Sequence, residues 1–252
     1  MNRQARGTEM GSGKALRSFM DGNVEKVVCV YGTRAALVVL NVQDGSVSKK
    51  RALDDSLGQI GDVEVIRDAN TKKVKGYAIA GHSYTEVAAG MGGCTSDCQD
   101  IQGQIHNLDP NLMLKKSNSF DGYQGGLYQY SGISKGYATL IHTECWGIAK
   151  SFNDEGEHDG FVVGCGNGIE GCPTSGYTAQ ARRWCQRDPR RNWRSLVVKT
   201  NLRGDIEWYR QDNFWNGQEN PATSASEYVI SGNGKIASVN DELFGIGLEI
   251  LQ

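Results

Sequence analysis

Seven cysteines carry the most specific chemistry in this 252-residue chain. Most of them fall in or at the edge of the two longest predicted loops: Cys94, Cys98, Cys165, Cys172 and Cys185. Long loops gain the most stability from covalent cross-links. We therefore predict a local disulfide in the Cys94-x3-Cys98 motif and further local disulfides within the group from Cys165 to Cys185.

The cysteines also bear on the compartment. Disulfides form and persist in oxidising environments, so the pattern favours an extracellular location or an organelle or secretory lumen. The first residues nevertheless lack the apolar core of a signal peptide. Because the cysteine count is odd, at least one thiol should be free or intermolecular. Cys29 lies between Val28 and Val30, and this apolar setting predicts a buried core thiol.

A zinc site is the alternative chemistry for part of this set. Thiolates and imidazoles are good zinc ligands, and His82, Cys94, Cys98 and His106 could supply them. The Cys-x3-Cys motif has no second pair at zinc-ribbon spacing, so we favour the disulfide and predict no metal. The Gly-rich segment 164–168 is not followed by a helical pattern, and we predict no dinucleotide or other cofactor.

A basic cluster with aromatic neighbours is the second candidate for chemistry. Residues 182–191 read RRWCQRDPRR, and Trp193 follows. Arg presents forked donors to anionic groups, and Trp and Arg are enriched in interfaces. The cluster favours binding of an acidic partner, a sulfated glycan or phosphate, with Trp184 and Arg187 as candidate contacts. The alternative is that these Arg side chains pair with Asp188 and nearby carboxylates.

Paired strands must position these residues. Residues 194–210 are typical of a β-hairpin, with an apolar β-branched run, a polar turn containing Gly204 and an alternating second strand. Similar hairpins occur at 37–47 and 104–114. Further hairpins are predicted at 63–82, 144–165 and 227–240. The repeated module is strand, turn, strand, long loop, strand, turn, strand, which is the four-stranded unit of one propeller blade.

This module resembles the degenerate repeats of β-propeller proteins, including the quinoprotein-like and lectin-like propellers. The resemblance rests on strings such as GYAIAG at 76–81, followed by a loop, an apolar strand, an Asp/Asn-x-x-Gly turn and a strand with Trp. It implies an all-β fold, a small irregular propeller of about four or five four-stranded antiparallel blades with long Cys-containing loops. Residues 1–22 are expected to be a flexible N-terminal lead, and residues 23–252 a single propeller-like domain.

Two details of the propeller stay open at this point. Residues 121–142 could hold a further blade. The N-terminal segment could supply the missing outer strand of the last module, which would close the ring and hide sheet edges.

The resemblance also implies where a ligand would bind. Loops that follow the second strand of each module should emerge on one axial face, the usual binding face of propellers. The candidate ligand-binding residues there are His82, His142, Glu144, Asn167, Trp184, Arg187, Asn240 and Asp241. We predict a non-catalytic binding or assembly module that holds a protein or glycan partner through this face. The alternative is a hydrolase or lyase whose acid or base is His82, His142, Glu144 or Asp241.

Net charge and hydrophobicity limit the kinds of partner that the chain is expected to bind. The formal net charge is −2, so no nucleic-acid partner is predicted. No apolar run approaches the roughly 20 residues of a membrane span, so no transmembrane segment is predicted. The few recognisable modules leave open that the chain is one component of a larger assembly.

Overall fold

The fold is built from consecutive antiparallel sheets. The computed structural model describes residues 13–31, 36–53, 59–90, 93–96, 98–120, 142–168, 174–187, 194–211, 225–230, 236–242 and 245–250. Within these ranges there are fifteen strands and one helix. Within each sheet, every strand pairs antiparallel with its neighbours in sequence, so each sheet is a simple meander.

The first sheet contains β1 (Gly13–Asp21), β2 (Val24–Tyr31), β3 (Ala36–Asn41) and β4 (Val47–Ala52). The second contains β5 (Gln59–Arg67), β6 (Val74–Val87), β7 (Cys98–Leu108) and β8 (Leu114–Phe120). The third contains β9 (His142–Phe152), β10 (His158–Gly168), β11 (Arg194–Asn201) and β12 (Ile206–Gln211), with helix α1 (Ala179–Arg187) between β10 and β11. The fourth contains β13 (Ala225–Ile230), β14 (Ile236–Glu242) and β15 (Gly245–Ile250).

The sheets pack in series through their first strands. Strand β1 contacts β5, β5 contacts β9, and β9 contacts β13. Sheets that stack face to face with their first strands on the inside are the blades of a propeller. The predicted all-β, propeller-like fold of irregular four-stranded antiparallel blades is confirmed, with a three-stranded fourth blade among the described residues.

The hairpin predicted at residues 194–210 is confirmed as β11 and β12. Its turn closes through the Gly204 amide, which donates a hydrogen bond to the Asn201 carbonyl (2.9 Å). Gly204 has a φ of 82°, a conformation that residues with a Cβ rarely adopt. The turn residue therefore fixes the register of the two outer strands of the third blade.

The N-terminal prediction is wrong for residues 13–21, which form β1 and not a flexible lead. Strand β1 pairs with β2, so it also does not complete the last sheet. The sequence pattern missed it because its inward face holds only one large apolar side chain, Phe19, and uses Arg17 and Asp21 beside it. Residues 1–12 lie outside the described residues, as do residues 121–141, where a further blade was considered.

The apolar core lies between the blades in two layers. The layer between the first and second sheets includes Phe19, Val28, Val30, Leu37, Val63, Val65, Tyr77 and Ile79. The layer between the second and third sheets includes Ala78, Ala80, Ile105, Ile148, Phe161, Val163, Leu196 and Val198. Tyr77 and Ile79 thus face one layer while Ala78 and Ala80 face the other. Strand β6 is buried on both faces, which explains its continuous apolar run.

Two buried carboxylates on β5 join the inner strands of three blades. Asp62 Oδ2 lies 2.6 Å from Arg17 Nη2 on β1, and it accepts a hydrogen bond from the Ile148 amide on β9 (3.2 Å). Glu64 lies 3.7 Å from Arg17 Nε and 3.6 Å from Lys150 Nζ on β9. Because β9 pairs only with β10, the Ile148 amide is on its free edge, and Asp62 satisfies that donor. We call these four charged residues the inter-blade charge network.

Burial is the largest influence on the pKa values of Asp62, Glu64 and Lys150 in this network. Desolvation raises the pKa of Asp62 to about 6, although the charge of Arg17 and hydrogen bonds from the Val63 and Ile148 amides lower it in part. The pKa of Glu64 is also raised by burial, against the opposing charges of Lys150 and Arg17. Burial lowers the pKa of Lys150. The cations of neighbouring blades therefore offset part of the cost of burying these two carboxylates.

Replacing Arg17 by Gln should destabilise the fold by about 2 kcal/mol at pH 7.5, because two buried carboxylates lose their shared cation. The deficit relative to wild type should shrink as pH falls from 7.5 to about 6, the pKa of Asp62 with Arg17 beside it. Arg17 lowers that pKa, so in this window the folded variant holds a proton on Asp62 that folded wild type does not yet hold, and the variant's free energy of unfolding rises faster as pH falls. Urea unfolding at pH 7.5 and pH 5 measures both effects.

Arg203→Gln is the matched control, since the Arg203 side chain is 78% exposed. It should change stability by less than about 0.5 kcal/mol at both pH values. An Arg17 variant as stable as wild type, or one whose deficit grows at pH 5, would contradict the assigned role of the network.

Candidate functional site

Four of the predicted site residues lie near strand ends of the second and third blades, on one side of the sheets: His82, His142, Glu144 and Asn167. Gln59 at the start of β5 pairs with His82 on β6, and His142 at the start of β9 pairs with Gly168 at the end of β10. The long connections that follow β6 and β10 leave from the same side. We call this side the loop end of the blades.

His82 is a buried strand residue and not the first residue of a loop, because β6 continues to Val87. Its ring packs edge-to-face on Trp146 of β9, with centroids 4.8 Å apart, and its Nε2 lies 3.3 Å from the Tyr84 hydroxyl. Burial lowers the pKa of His82 to about 4, and the nearby charges of Lys14 and His142 act in the same direction. His82 is therefore neutral at physiological pH.

Three further predicted residues lie on β9 and β10. Asn167, also expected near a loop, lies within β10 and is fully buried, where its Nδ2 donates to Thr143 Oγ1 (2.5 Å). His142 and Glu144 are half-buried at the start of β9. The structure thus brings His82 and His142 close together, and Asn167 lies on the strand that pairs with β9.

The remaining predicted residues lie in other elements. Trp184 and Arg187 are in α1, and Asn240 and Asp241 are in β14, which continues to Glu242. The side chains of these four residues lie outside the described part of the chain. Asn240 was expected to begin a loop, and its place within β14 corrects that expectation.

The predicted Cys94–Cys98 disulfide is confirmed, and the predicted local pairing of Cys165 is corrected. Cys94 and Cys98 form a disulfide within the loop after β6. Cys165 pairs with Cys145, its direct neighbour across β9 and β10, at a Cα–Cα distance of 4.0 Å. The sequence prediction failed because β10 runs past Cys165, so strand register and not loop proximity selects its partner.

The remaining three cysteines differ in their state and in how far they are described. Cys185 is also disulfide-bonded. Cys172 lies outside the described residues. Cys29 is a free thiol, and it is half-buried where a fully buried core thiol was predicted. In the Cys94–Cys98 disulfide neither sulfur is a thiolate that could bind zinc. No group of three or more His, Cys, Asp or Glu side chains with metal-ligand geometry occurs in the described ranges.

The two long loops at the loop end are joined to each other. The Thr95 amide donates to the Gly176 carbonyl (2.7 Å), and the Thr178 amide donates to the Gly93 carbonyl (2.8 Å). Cys94 and Tyr177 form the β-bridge between these two bonds. A loop of the second blade and a loop of the third blade therefore make one continuous surface. We call residues 93–96, residues 174–178 and α1 the loop platform.

Helix α1 extends the loop platform, although no helix was predicted in this segment. Thr178 caps it, accepting a hydrogen bond from the Ala181 amide at Oγ1 (3.2 Å). Ala181 and Cys185, one turn apart, are fully buried and hold the helix against the sheets. A helix of nine residues with only two small buried positions gives too weak a periodic signal for sequence analysis.

Comparisons with known proteins do not assign the chain to a family. Neither a family model nor a curated protein matches it. Among solved structures it is similar to the WD40 domain of SCAP from fission yeast, at 8% identity and a TM-score of 0.31. The likeness covers 97% of this chain and 42% of that one, and at this TM-score it adds nothing to the topology described above. None of the described helices is long and apolar enough to cross a membrane.

Replacing Gly176 by Ala should separate the two loops of the loop platform. Gly176 has a φ of 74°, and an added Cβ would lie 2.8 Å from the Ser96 carbonyl oxygen, so the substitution adds a clash to backbone strain. Hydrogen exchange of residues 93–96 and 174–178 should become at least about tenfold faster, which corresponds to a local loss of about 1.4 kcal/mol. Gly90→Ala is the matched control, since Gly90 has a φ of 92° and open space around it. Equal exchange in the two variants would contradict the link.

The imidazole of His82 should not titrate between pH 8 and pH 5, because its pKa is about 4. The unfolded chain, with the ordinary value of 6.5, takes up a proton in this range while the folded chain does not. Stability should therefore fall as pH drops from about 6.5 toward 4, and His82→Phe should remove part of that fall. An NMR titration of the histidine ring protons tests the first statement, and a midpoint near 6.5 for His82 would refute it.

Proposed function

We propose that this chain is a non-catalytic binding or assembly module that holds a protein partner on the loop platform. The observation that carries the proposal is the link between Thr95 and Gly176 and between Thr178 and Gly93, which joins loops of two blades. Loops positioned on a rigid scaffold are where binding residues concentrate. A surface that is already ordered loses less conformational entropy when a partner binds.

Two disulfides also help to keep the loop platform ordered before a partner binds. The Cys94–Cys98 disulfide closes one loop of the loop platform, and the Cys145–Cys165 disulfide joins the strands beneath the other. Disulfides of this kind fit an oxidising extracellular or secretory compartment, where we place the protein. Tyr84 lies near the loop end and remains 40% exposed, and tyrosine is one of the residue types enriched in interfaces.

The alternative is a hydrolase or lyase that uses His82, His142, Glu144 or Asp241 as acid or base. An acid or base must reach the substrate and must titrate near the working pH. His82 has no exposed surface, and its pKa is about 4. These two properties favour the binding function over catalysis at this position.

Binding by native protein, Gly176→Ala and Gly90→Ala tests the proposal. Each protein, with its disulfides intact, is immobilised and exposed to the secreted fraction of its source, and captured proteins are quantified by mass spectrometry. We expect a partner whose capture falls at least about fivefold with Gly176→Ala and stays unchanged with Gly90→Ala.

Three results would speak against the proposal. Equal capture by both variants would place the binding surface elsewhere. Specific retention on a glycan array without any protein partner would favour the glycan alternative. Turnover of a substrate that is lost in a His142→Ala or Glu144→Gln variant would favour the enzyme.

A further inference from the structure

The orientation of α1 is fixed, and it turns a basic surface outward. Ala181 and Cys185 are fully buried, so the opposite side of the helix faces solvent. Arg183 lies on that exposed side. Arg182 is half-buried, and its Nη1 donates to the Thr174 carbonyl (2.7 Å), which holds the guanidinium against the loop platform.

The positive charge of this surface is not neutralised within the described residues. Residues 174–187 contain three Arg and no Asp or Glu. Neither Arg182 nor Arg183 forms an ion pair with any described residue. Some exposed cations elsewhere do have carboxylate partners, as in Lys75 with Asp68 (2.8 Å) and Arg203 with Asp205 (3.2 Å). The whole chain has a formal net charge of −2, so the basic surface is a local feature.

We infer that the outward surface of α1 is the contact site for an acidic segment of the partner protein. The inference rests on the proposed function, because it names the chemistry of the partner that the loop platform holds. Guanidinium groups pair with carboxylates through two parallel hydrogen bonds. The three Arg positions are distributed along an open helix and not around one enclosed point. That distribution suits carboxylates spaced along an acidic segment better than a single phosphate group.

Arg187 adds to this placement by its position in the helix. It follows Arg183 by four residues, which is about one helical turn, so both positions fall on the same side of α1. Complementary charges at the rim of an interface speed association and select partners more than they raise affinity. The contact is therefore expected to be sensitive to salt.

A fluorescent peptide of ten glutamates is the probe, and its anisotropy with the native protein is the measurement. We expect saturable binding that weakens roughly tenfold between 50 and 200 mM NaCl, as several ion pairs are screened. Arg183→Glu should weaken binding, and the double variant Arg182→Glu/Arg183→Glu should weaken it roughly tenfold or more. Arg203→Glu is the matched control, since Arg203 is 78% exposed in a turn at the other end of the blades. It should bind as wild type does.

The outcomes separate this inference from the proposed function. Circular dichroism and the count of free thiols first establish that each variant is folded. If all variants bind the peptide equally, or none binds it, the acidic contact is refuted. Binding of a sulfated oligosaccharide but not of the glutamate peptide refutes it as well. If the natural partner is lost with Gly176→Ala but retained with Arg182→Glu/Arg183→Glu, the binding function stands and only the acidic contact fails.

Discussion

The arrangement of the blades depends on two carboxylates that are costly to bury. Asp62 and Glu64 lie on the first strand of the second blade. Both contact Arg17 of the first blade, and Glu64 also contacts Lys150 of the third. Moving a carboxylate out of water is unfavourable unless opposite charges and hydrogen-bond donors surround it. The observed placement of the three inner strands supplies both. The charge network therefore ties the first strands of three blades together, in addition to the apolar layers between them.

Because the blades are held against each other, the strand ends at the loop end are also held in place. The strands that carry His82, Asn167 and Cys165 are ordered up to the last residues before the long connections. Beyond these strand ends, backbone hydrogen bonds join the loop of the second blade to the loop of the third. Thr178, which lies in the third-blade loop, caps the N-terminus of α1. The exposed guanidinium surface of the helix is thus positioned by a chain of contacts that starts in the core. A binding surface built in this way needs little reorganisation when a partner arrives.

Hairpins with strong local signals were predicted correctly. The apolar run before Asn201 and the turn at Gly204 define β11 and β12, because turn chemistry and side-chain alternation are local properties. The short Cys94-x3-Cys98 spacing likewise predicted its own disulfide. Strand β1 was missed, since its inward Arg17 is matched by Asp62, which is 45 positions away. Helix α1 was missed because its two buried positions are small.

The sequence by itself determined the class of the fold, the repeated four-stranded module and the presence of stapled loops, because each depends on residues that are near one another in the chain. Tertiary structure decided the rest. It chose Cys145 as the partner of Cys165 through strand register, and it buried His82 against Trp146. It also joined residues 93–96 to residues 174–178, which are about 80 positions apart. Contacts across such distances depend on how sheets stack, and stacking follows from packing and desolvation summed over three blades rather than from any local pattern.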